Sequence, residues 1–81
     1  MIFLTIEDFY DNISRGGEIE FIYKGKKYSI THYNGKISVM EFYNYSTESI
    51  YKKAEEVGDY LINGIRLKDI FNEITVTFRC F

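Results

Sequence analysis

His32 and Cys80, each the single residue of its type, are the side chains best suited to catalysis or metal binding. His32 could act as a general base or a metal ligand, but a metal normally needs two or more such ligands, and there is no second histidine. Cys80 could be a nucleophile only with a base held beside it. We interpret His32 as a polar ring at the end of a core face and Cys80 as a small buried apolar side chain.

The serines add no catalytic pattern. None of them lies in a nucleophile elbow or a triad-like motif. The serines are Ser14, Ser29, Ser38, Ser46 and Ser49. The carboxylates fall opposite the apolar stripes of the predicted helices, where charged side chains are ordinarily solvated. We therefore expect no catalytic residue, no bound metal and no cofactor, and we interpret the protein as not an enzyme.

Three lysines, Lys24, Lys26 and Lys27, cluster at a predicted hairpin tip. Together with aromatic side chains such as Tyr33 and Phe42 they would suit single-stranded nucleic acid. The other interpretation is that they solubilise the turn and protect the sheet edge. A net charge of -2 and the absence of an RNA-binding motif favour the second interpretation. Nucleic acid binding through this tip is kept as the alternative function.

The N-terminal segment predicts a helix over residues 5–14. Thr5 is a good N-cap, and four apolar residues follow at i, i+3, i+4 and i+7: Ile6, Phe9, Tyr10 and Ile13. The pair Gly16-Gly17 then ends the helix.

Residues 18–43 predict a three-stranded antiparallel meander divided by two turns. Asn34-Gly35 is a strong hairpin signal because a type I′ turn needs positive φ at both central positions. Gly25-Lys26 is predicted as the other two-residue turn.

Each turn fixes a register: Tyr33 then faces Lys36 across the second hairpin, and Tyr23 faces Tyr28 across the first. Both registers place the same side chains on one apolar face, so the two turns support each other. We expect this face to be the core: Ile19, Phe21, Tyr23, Tyr28, Ile30, His32, Ile37 and Val39.

The opposite face of the meander is mostly polar but carries an apolar strip. Ile22, Ser29 and Met40 are predicted to line up across the three strands, with Tyr33 and Phe42 on the same side. Methionine and aromatic side chains among polar neighbours are typical of an interface. We predict that Ile22, Tyr33, Met40 and Phe42 contact a partner, unless the N-terminal segment or another element covers them.

The remaining residues predict two helices and a closing strand. Residues 46–57 keep helical spacing, Asn63-Gly64 marks a tight turn, residues 67–74 form a third apolar stripe, and residues 75–81 alternate as a strand does. The expected fold is α+β, with the order α-β-β-β-α-α-β. It has a four-stranded, mostly antiparallel sheet (the meander plus the C-terminal strand) with helices on one face.

Length and composition limit the classes of protein to which this sequence can belong. The 81 residues suit one domain, 1–81, and a composition that is 46% hydrophobic and 27% charged is that of a globular chain. A single cysteine indicates a reducing compartment. The N-terminus lacks a basic start, and no apolar run approaches the roughly 20 residues that span a bilayer. We expect a cytoplasmic protein with no membrane partner.

Two stretches carry a resemblance to known sequences: residues 19–30, IEFIYKGKKYSI, and residues 61–70, LINGIRLKDI. They resemble a family of small uncharacterised proteins from low-GC Gram-positive bacteria and their phages and mobile elements. The shared motifs are a hairpin, a turn and an amphipathic helix, so the resemblance implies no activity and no functional residue.

A domain without a catalytic or ligand site acts by occupying a surface. We therefore predict a small non-catalytic protein-binding module whose partner is another protein or a second copy of itself. Genes of this size in phages and mobile elements often encode inhibitors of host machinery, including anti-CRISPR and other anti-defence proteins, and we predict such a role for this protein.

Overall fold

The computed structural model describes residues 3–80. Its first helix, α1 (Ile6–Ser14), begins as the sequence predicts. Thr5 has an extended backbone, and its hydroxyl accepts a hydrogen bond from the backbone N–H of Asp8 at 3.1 Å. This bond satisfies one of the four N–H groups that every helix start leaves open. Phe9 and Ile13 turn toward the sheet and are fully buried.

A five-stranded sheet, entirely antiparallel, forms the centre of the fold, in the order β4-β3-β2-β1-β7. A separate two-stranded ribbon pairs β5 with β6. The strands are β1 (Ile19–Tyr23), β2 (Lys26–Tyr33), β3 (Lys36–Glu41), β4 (Asn44–Tyr51), β5 (Leu61–Ile62), β6 (Ile65–Arg66) and β7 (Thr75–Arg79).

The second hairpin has the predicted turn and register. Asn34 and Gly35 have φ of 49° and 74°, and Tyr33 pairs with Lys36. The first hairpin turns at Lys24-Gly25 instead of Gly25-Lys26, again with positive φ at both positions.

The predicted pairing of Tyr23 with Tyr28 is therefore wrong, and Tyr23 pairs with Lys26. The register differs by two residues, which is one full period of side-chain alternation. Every residue of the hairpin consequently stays on its predicted face, although its neighbours change.

The predicted core face is confirmed. Phe21, Ile30 and Val39 are completely buried on adjacent strands. The helices and the β5–β6 ribbon contribute to the same hydrophobic cluster, which includes Phe9, Val57 and other buried side chains. We call this covered side of the sheet the inner face and the opposite side the outer face.

The predicted helix at residues 46–57 is wrong, because residues 44–51 form the edge strand β4. The expected sheet of four strands therefore has five, and the expected element order changes with it. The inward side chains of β4 are Thr47, Ser49 and Tyr51, and its outward side chains include Glu48 and Ile50. Polar side chains thus face inward and an apolar one faces outward, which is not the pattern typical of a half-buried strand. The turn before β4 has no glycine, and Tyr43 takes the positive φ of 57°.

The predicted helical stripe is recovered only in part. Ala54 and Val57 are buried in a 3₁₀ helix (Ala54–Asp59) that follows β4. The third helix is also shorter than predicted: α2 (Leu67–Ile70) continues into one 3₁₀ turn (Phe71–Glu73).

The C-terminal strand closes the sheet at the edge opposite β4, pairing with β1. The register shifts between Glu20 and Phe21, so Val76 faces inward opposite Phe21 while Phe78 faces outward opposite Glu20. The alternation predicted for residues 75–81 would place Val76 and Phe78 on the same face. This is wrong, because a bulge in the pairing reverses the alternation.

Within residues 3–80, no helix has the length and apolar character needed to cross a membrane.

Candidate functional site

The outer face carries a shallow groove beside β4, with a volume of about 560 Å³. We call it the outer groove and define it by Tyr33, Lys36, Met40, Tyr45, Glu48 and Ile50. Tyr33 is 72% exposed, Tyr45 74% and Ile50 51%, which is unusual for side chains of this size on a single sheet face. Exposed apolar side chains that lie together on one face can form a contact surface.

Two of the four predicted contact residues, Tyr33 and Met40, line the outer groove. Ile22 and Phe42 do not. Ile22 pairs with Lys27 and not with Ser29, so the predicted row across three strands is displaced at β1.

Two residues of the groove, Tyr45 and Ile50, were missed. Ile50 lies in residues 46–57, which were predicted as a helix, and Tyr45 lies in the connection just before them. Ile50 pairs with Ser38 on β3, which places it beside the predicted strip.

Charge in the outer groove is mixed. Glu48 accepts a hydrogen bond from the Ser38 hydroxyl at 2.5 Å, which holds its carboxylate against the sheet. Lys36 lies in the same groove and takes part in none of the ion pairs among residues 3–80. A partner could therefore meet one group of each sign beside the apolar side chains.

A second concave region lies on the inner face, where β4 extends past the 3₁₀ helix and faces the β5–β6 ribbon. Its volume is about 380 Å³. We call it the tyrosine cleft and define it by Tyr28, Tyr51, Tyr60, Lys26, Glu41 and Asp59. This cleft was not predicted from the sequence, because the cleft exists only when residues 44–51 form a strand.

The tyrosines of the cleft are held by packing and by one strong contact. Tyr28 stacks on Phe21 with ring centroids 5.2 Å apart, and Tyr60 donates its hydroxyl to the Thr47 carbonyl at 2.9 Å. Burial raises the pKa of Tyr28 and of Tyr60 above the ordinary value, and the nearby Glu41 carboxylate adds to both shifts.

His32 makes a structural contact. Its Nε2 lies 3.0 Å from the Gly17 carbonyl oxygen, so this ring nitrogen carries the proton and donates it. The bond ties β2 to the loop between α1 and β1. The interpretation of His32 as a polar ring at the end of the core face agrees with this bond.

Cys80 pairs with Glu18 just beyond the end of β7. Its Sγ accepts a hydrogen bond from the Glu18 backbone N–H at 3.2 Å, and its own N–H donates to the Glu18 carbonyl at 3.1 Å. The Asn12 side-chain amide donates to the Cys80 carbonyl at 2.9 Å. These bonds attach the last strand to α1. Cys80 was predicted to be buried, but its side chain is only half-buried.

The lysines of the first hairpin are partly engaged by aromatic rings. Lys24 lies 5.5 Å from the Tyr23 ring centroid, and Lys27 lies 4.7 Å from that of Phe42. Lys27 also reaches Glu20 at 3.4 Å. The tip therefore presents less uncompensated positive charge than the sequence suggests, and nucleic acid binding there stays an untested alternative.

In the part of the chain that the structure describes, no three histidine, cysteine, aspartate or glutamate side chains come together as a metal site. A comparison of the chain with protein families, curated proteins and solved structures finds no match. The resemblance to small proteins of Gram-positive bacteria and their phages thus stays a prediction.

Proposed function

We propose that the protein is a small, non-catalytic protein-binding module and that the outer groove contacts its partner. The observation that carries the proposal is the joint exposure of Tyr33, Tyr45 and Ile50 around Met40 on the outer face. The helical elements of the described chain pack on the inner face, so these side chains are left to solvent.

The composition of the groove supports a protein partner over other classes. Tyrosine and methionine supply large contact area, and tyrosine does so at low entropic cost because its side chain has few rotatable bonds. One lysine and one glutamate at the groove would meet groups of opposite sign and so fix the orientation of the partner. From the resemblance alone, we further propose that the partner belongs to host machinery that the protein inhibits by covering a surface.

The test compares partner capture by three immobilised proteins: the wild type, Met40→Asp and Leu4→Asp. A charge at Met40 would be desolvated without a partner in the interface, so this variant should lose the captured protein. Leu4→Asp is the matched control because Leu4 is an exposed apolar residue that does not line the outer groove.

We expect capture by the wild type and by Leu4→Asp and none by Met40→Asp. Equal capture by all three proteins would contradict the proposal. Light scattering on the same proteins identifies a second copy as the partner if the wild type is a dimer and Met40→Asp is a monomer.

A further inference from the structure

We infer that the tyrosine cleft binds a free α-amino acid, with its ammonium group at Glu41 and its carboxylate at Lys26. This site lies on the inner face and is independent of the protein contact proposed for the outer groove.

The size of the cleft suits a small ligand. Its volume of about 380 Å³ lies at the lower end of the range of roughly 300–1,000 Å³ that ligand pockets occupy. The sheet forms one wall and the segment from Tyr60 to Asn63 forms the other. Because the two walls come from elements far apart in sequence, the cleft is a product of the folded domain.

Opposite charges line the cleft without neutralising each other. Lys26 and Glu41 both border it, yet across residues 3–80 neither takes part in an ion pair within 4.0 Å. Asp59, the third charged group, is paired with Lys68 at 3.3 Å. The uncommitted groups are thus one cation and one anion, which matches the charges of a zwitterion.

A tyrosine hydroxyl beside Glu41 offers the ligand a further acceptor. Tyr28 is only 5% exposed and lies directly opposite Glu41 in the pairing of β2 with β3. Unlike the Tyr60 hydroxyl, its own has no hydrogen-bond partner among the described residues. Because Tyr28 lines the cleft, its oxygen is open to a bound ligand. An ammonium group held by Glu41 can donate to this oxygen as well.

The opposite charges of Lys26 and Glu41 favour an amino acid over the other small ligands that a polar cleft could bind. A neutral sugar would leave the charges of both Lys26 and Glu41 unpaired. A simple cation or anion would engage only one of the two groups. Only a ligand with both charges satisfies both side chains at once.

The experiment uses isothermal titration of the wild-type chain with individual proteinogenic amino acids, each compared with its N-acetyl amide, which carries neither charge. Three variants repeat the titration: Glu41→Gln, Lys26→Met and Tyr28→Phe. Lys24→Met is the matched control, because Lys24 is a lysine of the same hairpin that does not line the cleft.

We expect at least one amino acid to bind and its N-acetyl amide not to bind. Glu41→Gln and Lys26→Met should each weaken binding about tenfold or more, Tyr28→Phe should weaken it by less, and Lys24→Met should leave it unchanged. The inference is overturned if no amino acid binds the folded wild type, if the N-acetyl amide binds equally well, or if Lys24→Met weakens binding as much as Lys26→Met.

Discussion

The two faces of the sheet are built from the same strands and differ in what covers them. On the inner face Phe21, Ile30 and Val39 are sealed by α1, the 3₁₀ helix and the ribbon. On the outer face Tyr33 and Ile50 are open to solvent. Alternate side chains of one strand can therefore stabilise the fold on the inner face and contact a partner on the outer face. A substitution can change either property without the other.

The largest effect is expected on the inner face. Phe21 is completely buried and stacks on Tyr28, so Phe21→Ala should lower the free energy of unfolding by about 3–5 kcal/mol. A loss of this size would leave a domain of 81 residues largely unfolded. Thermal unfolding followed by circular dichroism measures it, and a transition shifted by only one or two degrees would show that the face is not the core.

A smaller effect is expected where the inner face meets the tyrosine cleft. Tyr60→Phe removes the hydroxyl that donates to the Thr47 carbonyl, and should cost about 0.5–1.5 kcal/mol at neutral pH. Urea unfolding checks this value. The matched control is Tyr33→Phe on the outer face, which should change the free energy of unfolding very little.

The same tyrosines give the protein a pH dependence on the alkaline side. Because the pKa of Tyr28 and of Tyr60 is raised in the folded state, mainly by burial, the folded state holds these protons more tightly than the unfolded state. Their stabilisation is complete below pH of about 10 and is lost as the pH rises toward the folded-state pKa values. Urea unfolding at a series of pH values should show this fall, and it should be smaller in Tyr60→Phe than in the wild type.

The smallest effect is expected for Ile50 on the outer face. Ile50→Ser removes an exposed apolar side chain and keeps the strand, so the free energy of unfolding should change by no more than about 0.5 kcal/mol. A loss of several kcal/mol in urea unfolding would mean that Ile50 belongs to a second core layer.

The sequence predicted the inner face well because strand alternation has a period of two. The turn at Gly25-Lys26 was misplaced by one residue and the register by two, yet every side chain kept its face. Asn34-Gly35 was located correctly because asparagine and glycine tolerate the positive φ that the turn requires.

The sequence did not predict β4 because its signals are weak. Its turn at Phe42-Tyr43 contains no glycine, and its inward side chains are Thr47, Ser49 and Tyr51, which are polar at their tips. Ile50, Ala54 and Val57 happen to keep helical spacing, although Ile50 lies on the strand and the other two on the 3₁₀ helix. Both concave surfaces border this strand, so the error also hid the tyrosine cleft and half of the outer groove.

The pair Val39→Asp and Met40→Asp tests most directly whether the two faces have separate roles. These residues are neighbours on β3, with Val39 completely buried on the inner face and Met40 half-exposed on the outer face. A buried aspartate without a partner should abolish the cooperative thermal transition of Val39→Asp. Met40→Asp should keep a transition close to that of the wild type while losing the partner. Loss of the transition in Met40→Asp, or its survival in Val39→Asp, would contradict the account.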